Sequence, residues 1–91
     1  MSEQDKRYAE QVEPRAIEAV NKFVGQDPQA MYTFDAPPDM PRAELCRGKN
    51  CVTIDLYSTK MFECMQKLGF YCALPMEPGR TYMECRPLPK A

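Results

Sequence analysis

The pattern of residues 51–86 constrains the fold more than any other part of this chain. Apolar and polar side chains alternate over 52–57, which is the period of a strand with one buried face. Between Ser58 and Gly69, apolar residues recur at three- and four-residue steps, the spacing of a helix with one buried side. Serine often caps a helix and glycine often ends one, so this segment predicts a helix of about ten residues.

Two more strand patterns follow the predicted helix, at 70–75 and 81–86. They are separated by residues 77–80, in which proline followed by glycine fits the two central positions of a type II turn. The order strand, helix, strand, strand is typical of an α+β core in which one helix packs on a mainly antiparallel sheet.

The N-terminal part predicts a second helix, over 3–25. Apolar residues from Ala9 to Phe23 follow helical spacing, and Gly25 supplies a left-handed stop. Pro14 disagrees with an uninterrupted helix, because proline removes one hydrogen bond and its ring clashes with the preceding turn. We therefore expect either a kink at Pro14 or a helix that begins afresh there.

Residues 26–50 predict a proline-rich connector, because their prolines exclude a continuous helix or a central strand. Within the connector, residues 31–34 are β-prone and predict a short strand at a sheet edge. Residues 41–47 begin with proline and are followed by Gly48, which predicts one or two helical turns.

Together these patterns predict one small α+β domain over residues 1–91. Its parts are an N-terminal amphipathic helix (3–25), the connector (26–50) and an α+β core (51–87) with a three- to four-stranded, mainly antiparallel sheet and one packed helix. A chain of 91 residues has the length of one domain, and 44% hydrophobic with 27% charged residues is the composition of a globular protein.

The predicted turn also sets which residues of the last two strands face each other. If Glu77 and Arg80 flank the turn, Cys72 faces Cys85 at a position where paired Cα atoms lie about 4.5 Å apart, within reach of a disulfide. Two interpretations remain open. The cysteines form a disulfide, or they are small buried thiols in a reducing compartment, which the lack of a signal peptide favours.

The same register divides the predicted sheet into two faces. The face opposite the packed helix is expected to carry tyrosines and charged residues, which are the candidate partner-binding residues: Asp55, Tyr57, Tyr71, Tyr82 and Arg86. We interpret this face either as a recognition surface or as the surface on which the N-terminal helix packs. The need of that helix to cover apolar surface favours packing.

Histidine is absent from the sequence, which excludes Ser-His and Cys-His catalysis and every zinc site that uses imidazole. The acidic residues are scattered along the chain, and Asp55 is the best single candidate for carboxylate chemistry. No catalytic residue, cofactor or metal ligand is therefore predicted, and we do not expect an enzyme.

The five cysteines raise a metal or redox site as a third hypothesis. Cys46 and Cys51 are separated by four residues, at the outer limit of zinc-ligand spacing, and Cys85 would have to join them through the fold. A thioredoxin-like CxxC motif is absent, and Cys64 lies on the apolar side of the predicted helix. Buried free cysteines explain the set better.

The N-terminus is charged from Glu3 onward and contains no apolar segment or small-residue cleavage site, so no secretory signal is predicted. No part of the sequence approaches the roughly 18 consecutive apolar residues of a membrane span. We therefore expect a cytoplasmic protein that does not contact membranes.

Two functional hypotheses follow. The first is a non-enzymatic protein–protein interaction module, such as a small accessory subunit or inhibitor that docks on a larger protein or complex. The missing catalytic groups, the proline-rich connector and seven methionines, which suit adaptable apolar contacts, favour it.

The alternative hypothesis is single-stranded RNA or DNA binding through Tyr57, Tyr71 and Tyr82. A strand-helix-strand-strand module with aromatic residues on its sheet resembles RNA-recognition domains, in which such residues stack on bases. The basic-Gly-aromatic run of those domains is missing, and a net charge of -1 provides no strongly basic face for phosphates.

Overall fold

Five strands form one antiparallel sheet with two helices in a computed structural model that describes residues 7–37, 39–76 and 82–89. The strands are β1 (Tyr32–Asp35), β2 (Ala43–Arg47), β3 (Asn50–Ile54), β4 (Phe70–Ala73) and β5 (Met83–Pro87). The helices are α1 (Glu13–Gly25), which follows a π-helical turn at Tyr8–Val12, and α2 (Ser58–Lys67). The α+β class is confirmed, whereas the sheet has five strands, in the order β3-β2-β1-β5-β4, instead of three to four.

Pro14 is accommodated where the π-helical turn passes into α1. The N–H of Glu13 donates to the carbonyl of Tyr8, five residues earlier, and Pro14 then lies in the first turn of α1. The π-helical turn interrupts the regular α-helical hydrogen-bond pattern just before Pro14, which is where a residue without an N–H disturbs the helix least. Residues 3–6 of the predicted helix lie outside the described residues.

Residues 43–47 form strand β2, so the prediction of helical turns there is wrong. Buried and exposed positions alternate along the first part of this strand. Gly48, with a φ of 59°, and Lys49 form a two-residue turn between the paired residues Arg47 and Asn50. A positive φ at the first central position is typical of the type II′ turn that joins antiparallel strands. Pairing with β3 therefore prevails over the local helical propensity.

Strand β1 lies in the centre of the sheet, between β2 and β5, so the prediction of an edge strand is also wrong. Thr33 is opposite Cys46 on one side and Glu84 on the other. The nearest described prolines, Pro28 and Pro37, lie outside the strand, so each of its four residues keeps an N–H group for pairing.

Strands β4 and β5 pair in the register that the sequence predicts. Cys72 is opposite Cys85, and Ala73 is opposite Glu84. The turn on which this prediction was based, residues 77–80, lies outside the described residues.

Both helices pack on the same face of the sheet. One cluster of buried side chains contains Ala16, Val20, Phe23 and Val24 from α1, Met61, Cys64 and Met65 from α2, Leu56, and Tyr32, Phe34, Ala43, Leu45, Ile54, Phe70, Cys72 and Cys85 from the strands. The favoured interpretation, that the N-terminal helix covers the face opposite α2, is therefore wrong. The two helices lie side by side, with Lys60 Nζ 3.4 Å from Glu13 Oε1.

Tyr32 and Arg47 attach the C-terminal end of α1 to the sheet. The fully buried Tyr32 donates its hydroxyl to the Asp27 carbonyl at 2.7 Å, and its ring meets those of Phe23 and Phe70 edge-on. Arg47 Nη1 donates to the Phe23 carbonyl at 3.0 Å, and its guanidinium lies 4.7 Å from the Phe23 ring centroid. A cation at the carbonyl end of a helix is stabilising, so Arg47 has a structural role.

Candidate functional site

The sheet face opposite the helices is not covered by any described element, and we call it the open face. Its residues alternate with the core positions along the five strands. They are Thr33, Asp35, Glu44, Cys46, Cys51, Thr53, Tyr71, Ala73, Glu84 and Arg86, all exposed or partly exposed. Within the described residues, one side of the sheet is therefore accessible to a binding partner.

Two of the predicted partner-binding residues meet on this face. Tyr71 of β4 is directly opposite Arg86 of β5, and Arg86 Nη2 lies 3.8 Å from Glu84 Oε2 on the same strand. The Arg86 side chain is 70% exposed, so this ion pair contributes little to stability. Arg86 therefore remains able to exchange its carboxylate partner.

Exposed apolar side chains continue from Tyr71 into the segment after β4. Tyr71 and Leu74 are each 63% exposed and Met76 is 101% exposed. We call these three residues the β4 patch. Together with Pro75 they border a shallow depression of about 430 Å³. Sequence reasoning missed both Leu74 and Met76. The strand pattern over 70–75 assigns Leu74 to the core, and Met76 lies between that pattern and the predicted turn at 77–80.

Asp55 and Tyr57 are separate from the β4 patch, because they follow β3, which is at the opposite edge of the sheet from β4. The Tyr57 ring meets the Tyr8 ring edge-on at 5.6 Å, and the Tyr8 hydroxyl donates to the Asp55 carbonyl at 2.9 Å. Burial raises the pKa of Tyr8, which keeps this phenol protonated as a donor. Tyr82 is half-buried and lies just before β5.

A disulfide on the open face joins Cys46 of β2 to Cys51 of β3, at directly opposite positions. Cys51 is exposed and Cys46 is partly exposed. A Glu44 carboxylate oxygen lies 3.6 Å from the Cys46 sulfur. The sequence does contain a signal for this pair, because both cysteines lie two residues from the central Gly48-Lys49 turn, but interpreting 41–47 as helical concealed it.

The second disulfide joins Cys72 to Cys85 on the helix-covered face, where the two residues are 5% and 0% exposed. The sequence favoured two reduced, buried thiols for this pair. In the structure the two cysteines instead form a disulfide. Cys85 also lies on the opposite side of the sheet from Cys46 and Cys51. The sequence-based trio of Cys46, Cys51 and Cys85 therefore cannot form one metal site.

The remaining cysteine, Cys64, is a buried free thiol of α2. Burial raises its pKa, so it stays protonated and unreactive near neutral pH. On the exposed side of the same helix, Lys67 and Lys60 lower the pKa of the Glu63 carboxyl. These shifts have structural causes.

Two further depressions lie beside the helices. One, of about 300 Å³, lies between α1 and β3 and is bordered by Arg15, Thr53 and Asp55. The other, of about 290 Å³, is mainly apolar and is bordered by Phe34 and Phe62 among others. Both volumes are at the lower limit of roughly 300 Å³ for small-molecule pockets.

Comparisons with protein-family models, with curated proteins and with solved structures returned no match. The fold and its surfaces alone therefore define the class of protein. It is a two-layer α+β domain with a disulfide at each edge of its sheet and one open sheet face. Among the described helices, none has the length and apolar character to span a bilayer.

Proposed function

We propose that this chain is a non-enzymatic protein–protein interaction module, a small accessory subunit or inhibitor that docks on a larger protein or complex. One observation carries the proposal. Both helices cover the same side of the sheet, which leaves Tyr71 of edge strand β4 exposed, and Leu74 and Met76 are exposed just beyond the end of that strand. Clustered apolar side chains, an aromatic residue and a methionine beside an arginine are typical of binding surfaces.

The partner that fits this surface presents an extended segment with apolar side chains. Strand β4 is at one edge of the sheet, and an added strand can hydrogen-bond to such an edge. An extended segment in this position brings its side chains to Tyr71 on the open face and to Leu74 beyond the end of the strand. Apolar contacts then supply affinity, and backbone pairing fixes the orientation of the segment.

The charge of the open face favours a partner that also carries basic residues. Asp35, Glu44 and Glu84 place three carboxylates on this face, and Arg86 is its one guanidinium among the described residues. An acidic surface attracts lysine and arginine side chains and repels phosphates. The preferred partner segment is therefore basic and apolar.

Single-stranded nucleic acid binding remains a prediction with less support. Base stacking on a sheet requires aromatic residues on the open face, and of Tyr57, Tyr71 and Tyr82 only Tyr71 belongs to a strand. The three carboxylates nearby oppose a phosphate backbone.

The two disulfides favour an oxidising compartment over the cytoplasmic location that the sequence predicts. A domain of this length buries only a modest core. The covalent links between β2 and β3 and between β4 and β5 therefore add to the stability of the folded state by constraining the unfolded chain. This placement is part of the proposal.

Site-specific photo-crosslinking in extract of the native cells tests the docking surface. A photoreactive amino acid replaces Tyr71, and in a matched control it replaces the exposed Lys22 on α1. We expect position 71 to form one discrete protein adduct, position 22 to form none, and the cross-linked peptide of the partner to contain basic and apolar residues.

Charge insertion provides the second control. With the photoreactive residue at position 71, Leu74→Lys should lower the adduct yield about tenfold, because an apolar anchor is lost and a positive charge is placed against a basic partner segment. Val12→Lys, at an apolar residue that is 37% exposed and lies beside β3, at the opposite edge of the sheet from β4, should leave the yield unchanged. Equal adducts from positions 71 and 22, or cross-links to nucleic acid, would overturn the proposal.

A further inference from the structure

We propose that reduction of the Cys46–Cys51 disulfide creates a zinc site on the open face, with the two cysteine sulfurs and the Glu44 carboxylate as ligands. This site is independent of the β4 patch, since it lies on β2 and β3 at the other end of the sheet. It adds a metal-binding activity that depends on the redox state of one disulfide.

The Glu44 carboxylate already lies at the distance from the Cys46 sulfur that a shared zinc ion requires. One donor atom from each of Glu44, Cys46 and Cys51 lies within 4.8 Å of the other two, and Glu44 Oε1 is 3.6 Å from Cys46 Sγ. In a tetrahedral site with usual zinc–sulfur and zinc–oxygen bonds, a sulfur and an oxygen ligand are about 3.5 Å apart. The disulfide sulfur carries no proton, so this contact is not a hydrogen bond but a preformed ligand spacing.

The hairpin holds both cysteines in place when the disulfide opens. Their Cα atoms are 4.1 Å apart, and both side chains project to the open face from directly opposite positions. Strand β2 pairs with β1 as well as with β3, so its position does not depend on the disulfide alone. Small side-chain rotations then separate the sulfurs to about 3.8 Å, the spacing of two thiolates on zinc.

Of the two disulfides, Cys46–Cys51 is the more accessible to a reductant. Cys51 is exposed, whereas Cys72 and Cys85 are buried beneath the helices. A reductant therefore reaches Cys46–Cys51 first, because thiol–disulfide exchange requires direct attack on a sulfur atom.

The chemical step balances as follows. A dithiol reductant transfers two electrons and two protons, the Cys46–Cys51 bond breaks to two thiols, and the reductant becomes a disulfide. Zn²⁺ then displaces the two thiol protons to solvent, and water completes the tetrahedron beside Glu44. Binding is therefore tighter as pH rises towards the range in which free thiols ionise.

Metal titration of the full-length chain tests the proposal. The protein is reduced with a phosphine, freed of reductant without oxygen, and titrated with Co²⁺ as a spectroscopic probe and then with Zn²⁺. We expect one metal ion per chain, a sulfur-to-cobalt charge-transfer band and displacement by Zn²⁺, with no such band in the oxidised protein.

Variants identify the ligands. Cys51→Ser should weaken zinc binding at least 100-fold, and Glu44→Gln at least tenfold. Glu84→Gln removes a carboxylate that lies on the same face but outside the proposed site. This variant should bind zinc as tightly as the wild type does. Reduced wild type that binds no metal, unchanged binding by Cys51→Ser, or loss of the circular dichroism spectrum of the fold upon reduction would each overturn the proposal.

Discussion

At the scale of single residues, Tyr32 and Arg47 determine which face of the sheet α1 covers. The Tyr32 hydroxyl donates to the Asp27 carbonyl and accepts from Arg47 Nη1 at 3.3 Å, at the partly buried border between helix and sheet. Sequence patterns cannot show this arrangement, because its partners come from three separate segments. The register of Cys72 with Cys85 is different, since it depends on a local turn and was therefore predictable.

The Tyr32→Phe substitution should destabilise the fold by about 0.5–1.5 kcal/mol, because it removes the hydroxyl that donates to the Asp27 carbonyl and accepts from Arg47. Urea denaturation measures the loss as a lower transition midpoint with an unchanged slope. Tyr71→Phe removes a hydroxyl from the open face and should change stability by less than about 0.5 kcal/mol. Equal destabilisation by both variants would contradict the role of Tyr32.

At the scale of elements, the two hairpins explain where sequence prediction succeeded and where it failed. The prediction that 70–75 and 81–86 are paired strands is correct, because Pro78 and Gly79 between them indicate a turn that sets the register of the pair. Residues 43–47 contain alanine, glutamate and leucine, whose helical propensity conceals a period of two over five residues. Only pairing with β3 across the Gly48-Lys49 turn resolves the ambiguity.

Counting free thiols tests the disulfides of both strand pairs in one experiment. Protein purified without reductant and alkylated in denaturant should show one reactive thiol per chain, mapped to Cys64. Prior reduction should raise the count to five. Cys64→Ala without reductant is the control and should show none. Five reactive thiols in the unreduced protein would contradict both disulfides. That result would support the cytoplasmic location that the sequence predicts.

At the scale of the whole molecule, sequence reasoning predicted the α+β class and both helices but not the layer order. Amphipathic patterns show that a helix needs an apolar surface, yet they do not specify which sheet face provides it. Here the connector supplies two strands, β1 and β2, that extend the apolar inner face until it accommodates both helices side by side. The open face, and with it the exposure of Tyr71 in the β4 patch, is a consequence of that extension.

Hydrogen–deuterium exchange of the chain, free and bound to the protein captured at position 71, tests the docking claim most directly. Backbone pairing with a partner segment slows amide exchange at the paired strand. We predict new protection in peptides covering 70–76, with little change in peptides covering α1. Protection that appears over α1 and leaves 70–76 unchanged would contradict docking through the open face.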